Sequence, residues 1–117
     1  MANPQLNLTV RTPSSNVAII DIQGEVTGAA ETPLMNAYEE ASKSGARTII
    51  LNFSNLEYMN SSGIGLLVTL LIRVNRQKQR MFSYGLSDHY QQIFQLTRLN
   101  EAIGIYADEA SALSAAG

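Results

Sequence analysis

Two neighbouring segments constrain this chain most. Thr48-Ile49-Ile50-Leu51-Asn52-Phe53 is a nearly unbroken apolar run, and Asn60-Ser61-Ser62-Gly63-Ile64-Gly65 soon afterwards opens the most apolar stretch of the sequence. The first reads as a buried strand and the second as the start of a helix, with Asn60 as a polar cap. Two hydroxyls therefore sit where a strand–loop unit meets a helix N-terminus. Such a terminus leaves backbone N–H groups unpaired and carries partial positive charge, so it suits an anion. Ser61 and Ser62 either cap the helix or carry a phosphate.

The 117 residues amount to one ordinary domain with room for a core, taken here as residues 1–117 with a small-residue tail, 110–117, prone to fray. Apolar residues make up 45%, which points to a globular protein rather than a disordered or membrane one. The net charge is −2, and the basic residues cluster only at Arg73, Arg76, Lys78 and Arg80, which argues against a nucleic-acid partner. These four lie near a helix C-terminus, where its dipole accounts for them better than a phosphate-binding role. The longest uncharged apolar run, Ile64 to Ile72, falls well short of the roughly 20 residues of a membrane span, so no membrane insertion is expected. Cysteine is absent, which removes disulfides, cysteine-based zinc sites and thiol chemistry. Met1-Ala2-Asn3-Pro4-Gln5 has neither the basic segment nor the apolar core of a signal peptide, and a cytoplasmic location is the expectation.

Leu6 to Arg11 alternates like a half-buried strand, and Thr12-Pro13-Ser14-Ser15-Asn16 is turn chemistry, so a hairpin with Val17–Ile22 is expected, stopped at Gly24. Ala29 to Ser44 reads as a helix with Leu34, Ala37, Tyr38 and Ala41 at helical spacing, Pro33 in its first turn and Gly45 at its end. Then come a strand (Arg47–Phe53), a helix (Ser61–Gln77) and a strand (Met81–Leu86). A helix capped by Ser87-Asp88 carries Tyr90, Ile93, Phe94 and Leu96, and Ile103–Tyr106 and a small helix from Asp108 finish the chain. The alternation predicts an α/β fold: a mixed, mainly parallel sheet with an N-terminal hairpin, covered by about four helices.

At roughly 100° per residue, Ile64, Leu67, Val68, Leu71 and Val74 form one face of the second helix, and Leu66, Leu70 and Ile72 widen the apolar arc to about 240°. A core-facing helix needs only a stripe somewhat over 100° wide. Either neighbouring elements bury the excess or Leu66 and Leu70 are left for a partner. Gly63 and Gly65 each cost roughly 1 kcal/mol in a helix relative to alanine, and close approach is the reason expected: to another element, or to a docked protein. Neither glycine belongs to a Walker or dinucleotide-binding fingerprint.

The stretch Ile49 to Leu67 resembles the STAS domain, the fold of bacterial anti-sigma factor antagonists: a strand ending in aspartate, a short loop, then Asp-Ser-Ser/Thr-Gly-hydrophobic-Gly opening a helix. Ile22-Gln23-Gly24-Glu25-Val26, Gly85-Leu86-Ser87 and Ile93-Phe94-Gln95-Leu96-Thr97-Arg98-Leu99 resemble the family's other landmarks, so the likeness covers nearly the whole chain. The resemblance implies a non-enzymatic partner-switching module. Its unphosphorylated form binds an anti-sigma factor that is also a serine kinase, phosphorylation releases it, and a phosphatase restores it. The implied phosphoacceptor is Ser61, with Ser62 as second candidate. The implied docking surface is Tyr58, Asn60, Ser62, Gly63, Gly65, Leu66 and Leu70. Asn52 and Asn60 stand where the family has aspartate, each removing a negative charge beside the acceptor. Asn60 still caps through its side-chain oxygen but supplies no carboxylate to orient or deprotonate the serine. With both hydroxyls kept, phosphorylation is expected to persist; the alternative is an unregulated STAS subunit of a scaffold or transport-associated complex.

No other residue suggests catalysis, a cofactor or a metal. His89, the only histidine, reads as an exposed first-turn residue rather than a ligand or base. Asp21, Glu25, Glu39 and Glu40 read as solvated charges unless the fold brings two together. A hydrophobic staple accounts for Tyr58 or Met59, and partner contact is the second reading for Tyr58.

Overall fold

The structure, a computed structural model, describes residues 6–117. Met1 to Gln5, on which the reading of the N-terminus rests, lie outside the described residues. The chain folds as expected into an α/β domain with one five-stranded mixed sheet and four α-helices among the described residues. The strands are β1 (Leu6–Ser14), β2 (Val17–Val26), β3 (Thr48–Met59), β4 (Arg80–Tyr84) and β5 (Gly104–Tyr106), and they lie in sequence order across the sheet. Only the β1–β2 hairpin is antiparallel. Helices α1 (Glu31–Lys43), α2 (Ser61–Arg76) and α3 (Asp88–Leu96) make the crossovers, and α4 (Glu109–Ala116) follows β5.

Val17–Ile20 and Thr48–Leu51 are buried at every position, as central strands covered on both faces must be. On one face α1, α2 and α3 pack the larger core, including Ile20, Ile22, Ile49, Leu51, Tyr38, Leu67, Leu70 and Phe94. On the other, α4 covers Val17, Ile19, Ile50, Phe82 and Tyr84 through Ala112, Leu113 and Ala116. The small residues of the tail form this helix, and wholly buried Ala112 lets it lie close to the sheet.

Three boundaries differ from expectation in ways that bear on the site or the sheet, while the others move by one or two residues. The β1–β2 turn shrinks to Ser15-Asn16, because a register shift between Arg11 and Ser14 absorbs Pro13, which cannot donate to a ladder. Gly24 does not stop β2; its φ of 104° lets the strand continue to Val26 through an irregular register with β3. β3 runs six residues beyond Phe53, because Asn55–Met59 pairs with the extended end of β2. The expected strand–helix loop is therefore mostly strand.

The buried face of α2 is also rotated from the one expected. Gly63, Leu66, Leu67, Leu70 and Val74 are buried, Ile64 and Leu71 are half-buried, and Val68 and Ile72 are exposed. In α1, Leu34, Ala37, Tyr38 and Ala41 are all buried as the spacing predicts. In α3, Phe94 is buried, Tyr90 and Ile93 are half-buried, and Leu96 is 84% exposed.

Candidate functional site

The start of α2 is held against the end of β2 by the backbone. Asn60, the N-cap, is extended (φ −95°, ψ −177°) and its N–H donates to the Val26 carbonyl (3.3 Å). Its side-chain Oδ1 accepts from the Gly63 N–H at 2.9 Å, and its carbonyl accepts from the Ile64 N–H at 3.0 Å. Gly63 is pressed onto the same strand: a Cβ there would lie 2.1 Å from the Val26 oxygen and 2.9 Å from Met59 Cγ. No side chain fits, so this glycine serves internal packing and fixes which side of α2 faces the sheet. Gly65 is different, since a Cβ there would meet nothing within 4 Å.

Ser61 and Ser62 occupy the first two helical positions and both are exposed. Asn60 satisfies the third and fourth N–H groups of the helix, and those of Ser61 and Ser62 have no acceptor among the described residues. Ser62 lies beside the Thr27–Ala30 turn, its Cβ 3.6 Å from where a Gly28 Cβ would be. Before the cap, Met59 is buried against Gly63, and its N–H donates to the Tyr90 hydroxyl of α3 (2.8 Å). Tyr58 is 48% exposed, so of the two only Met59 is committed to the interior.

Leu66 and Leu70 are core residues, 8% and 0% exposed, and their side chains are not offered to a partner. The wide apolar arc left the rotation of α2 open, and the Gly63 contact decides it. The large apolar side chains exposed on β3 and α2 are Tyr58, Val68 and Ile72, with open Gly65 on the same helical stripe as the last two.

Asn52 pairs with Asp21 along the sheet, seven residues of β3 before Met59, and not beside the serines. Its Nδ2 donates to Asp21 Oδ1 (2.7 Å), its Oδ1 accepts from the Ser54 N–H (2.9 Å), and it makes no hydrogen bond to either serine among the described residues. It belongs to a polar row on the α4 face that sequence reasoning missed. Arg11 forks onto Asp21 (2.6 and 2.8 Å) and reaches Glu109 (2.9 Å), which also accepts from the Tyr84 hydroxyl (2.8 Å). Hydrogen bonds from Arg11 hold the Asp21 carboxyl below its ordinary range against the opposing effect of burial, with help from Asn52. Arg11, then Tyr84, does the same for Glu109. Burial, reinforced by Glu109, pushes the Tyr84 phenol up to about 12. Two carboxylates held ionised by one arginine tie α4 to β1 and β2; neither is poised as a proton donor near neutral pH. No spacing signal links Arg11 to a carboxylate at the far end of the chain.

His89 is exposed, its ring edge-on to Tyr90 at 4.9 Å. Among the described residues no three His, Cys, Asp or Glu side chains are grouped to hold a metal ion, and no helix is long and apolar enough to cross a membrane.

Comparison with known proteins agrees with this architecture. The anti-sigma-B factor antagonist of Staphylococcus aureus is 26% identical over 101 residues, covering 86% of this chain and 94% of that protein. The unphosphorylated form of the anti-sigma factor antagonist SpoIIAA superposes with a TM-score of 0.74 at 23% identity, over 92% of this chain and 93% of that one. An anti-sigma factor antagonist from Mycobacterium paratuberculosis reaches 0.81 at 16% identity, over 99% and 98%. At those identities the two structures speak for the fold alone. The family model described as STAS domain matches residues 8–112, almost the whole of the sheet and helices described above, and the chain belongs to the STAS domain family.

Proposed function

We propose that this protein is an anti-sigma factor antagonist that works by partner switching in the cytoplasm, with Ser61 as its phosphoacceptor. In this reading the unphosphorylated form binds an anti-sigma factor that is also a serine kinase, modification of Ser61 releases the complex, and a phosphatase restores the binding form. The observation that carries it is an exposed serine at the first position of α2, beside backbone N–H groups that have no acceptor among the described residues. A phosphate adds about −1.5 to −2 charges, and a helix N-terminus favours it by roughly 0.3–1 kcal/mol. The domain can therefore accept the group without unfolding. Buried under a docked partner, the same dianion costs several kcal/mol in desolvation. Each 1.4 kcal/mol is about tenfold in affinity, so release by two or more decades follows. Tyr58, Gly65, Val68 and Ile72 are the docking strip in this reading, in place of Leu66 and Leu70. SpoIIAA has also been solved in a phosphorylated form, which superposes on this chain with the same TM-score of 0.74, so the shared fold is compatible with such a modification.

Incubation with the cognate kinase and ATP is expected to add one phosphate, lost in Ser61→Ala and kept in Ser62→Ala. Full modification of Ser61→Ala overturns the assignment. One observation favours a second reading, an unregulated STAS subunit of a larger complex: Asn60 contributes a cap and no carboxylate. That reading predicts that Ser61→Asp leaves partner affinity unchanged, whereas partner switching predicts a loss of two or more decades.

A further inference from the structure

At the end of the sheet opposite Ser61, the hairpin turn, the start of β3 and the start of β4 converge. The Asn16 carbonyl accepts from the N–H groups of Arg47 (2.8 Å) and Thr48 (3.1 Å), and the Arg47 carbonyl accepts from the Arg80 N–H (2.8 Å). Between them an open cavity of about 470 Å³ is lined by Asn16, Arg47, Thr48, Lys78, Arg80 and Ala116. That volume falls within the range of small-molecule sites.

The lining carries three cations and no carboxylate. Among the described residues the ion pairs engage Arg11, Arg73 and Arg98, and none engages Arg47, Lys78 or Arg80. Arg80 is held in place by the Phe82 ring (5.1 Å) and by its hydrogen bond to the Ala116 carbonyl (2.9 Å), so part of the charge is preorganised. Lys78 is fixed in the left-handed region (φ 59°) just past α2. Thr48 is 1% exposed, and its hydroxyl has no hydrogen-bond partner among the described residues, a costly state for a buried polar group. Helix C-termini at this end of the sheet offset about half a charge each, which does not neutralise three full cations.

We propose that this cavity binds a small polyphosphate anion: a pyrophosphate or triphosphate group, free or as part of a nucleotide. Three cations around one opening match several anionic oxygens at once, and the Thr48 hydroxyl supplies a further donor. The lining has no aromatic ring and only Ala116 as an apolar side chain, so the phosphates are recognised and a base is not. The site is independent of Ser61 and of the partner-switching reading.

The test is a titration of the isotope-labelled 117-residue chain with sodium pyrophosphate, followed by amide NMR, with ionic strength matched by sodium chloride. Parallel arms use orthophosphate and ATP. Saturable binding tighter than about 1 mM is expected, with shifts centred on Asn16, Thr48 and Arg80 and orthophosphate about tenfold weaker. A further arm with inorganic tripolyphosphate matches the phosphate count of ATP: equal affinities identify the phosphates alone as the determinant, and an ATP that binds tighter than tripolyphosphate overturns the claim that the base is not read. Arg47→Gln combined with Lys78→Asn removes two side chains without hydrogen-bond partners, the asparagine tolerating positive φ, and is expected to weaken binding about tenfold without unfolding the chain. Thr48→Val is expected to weaken it severalfold. Failure to saturate, shifts reproduced by sodium chloride, or unchanged affinity in the double variant overturns the proposal. So does saturation by an acidic peptide in the absence of any pyrophosphate response.

Discussion

Gly63 sits so close to the Val26 carbonyl that a Cβ on it would lie 2.1 Å from the oxygen. The same carbonyl accepts the Asn60 N–H, so the cap and the first turn of α2 are registered on one backbone atom of β2. That registration turns Leu66 and Leu70 inward, leaves Val68 and Ile72 outside, and sets where Ser61 stands.

Alanine at the two glycines of this turn therefore has opposite effects. Gly63→Ala forces backbone apart and is expected to cost about 2–4 kcal/mol, at or above the usual range for overpacking. Gly65→Ala meets open space and is expected to stabilise by up to about 1 kcal/mol through helix propensity. Urea denaturation of the two variants checks the contrast, and equal effects would falsify the structural role of Gly63.

Restoring the family's aspartate at position 52 brings a carboxylate to hydrogen-bond distance of Asp21, where the Asn52 amide now donates at 2.7 Å. Asn52→Asp is expected to destabilise the fold by roughly 1–3 kcal/mol near neutral pH, by losing that bond and opposing two like charges. Proton uptake by the pair relieves the repulsion, so the difference from the parent should shrink as the pH is lowered. Paired denaturation curves at neutral and mildly acidic pH measure it.

Arg11 lowers the Asp21 and Glu109 carboxyls, so both release their protons more readily in the folded chain than in the unfolded one. Their contribution to stability is present above the unfolded values, about pH 4, and is lost as the pH falls through the lower folded values. Arg11→Met should flatten this acid-side loss, because the carboxyls then titrate closer to their unfolded values. Unfolding free energies between neutral pH and pH 3 test the sign; a slope as steep as the parent's excludes Arg11 as the cause.

On α2, truncation separates core from surface. Leu70→Ala is expected to cost about 2–5 kcal/mol. Val68→Ser and Ile72→Ser, at positions 41% and 48% exposed, should stay within about 0.5 kcal/mol of the parent. If the docking strip is correct, the serine variants weaken partner binding while melting like the parent protein.

Periodicity and capping made much of the fold legible in the sequence. The unbroken apolar runs of β2 and β3, the spacing of Leu34, Ala37, Tyr38 and Ala41, and the N-caps Asn60 and Ser87 are local signals, and each element they predict is present. Gly24 misled because positive φ is as compatible with a continuing, irregular strand as with its end. The site was legible in part: the Asn60–Gly63 cap could be inferred, whereas Tyr58 and Met59 could not be told apart until one was buried.

By itself the sequence determined the order of elements, the capped serine-bearing helix start and the membership of two central strands in a core. These depend on interactions within a few residues of one another. Only the tertiary structure decided the rotation of α2, the partner of Asn52, the row from Arg11 to Glu109 and the cationic cavity at the far end of the sheet. An apolar arc of about 240° does not choose its own buried side. A charged side chain likewise does not announce a counter-ion that lies remote along the chain. Both are decided only when the strands bring distant residues into contact.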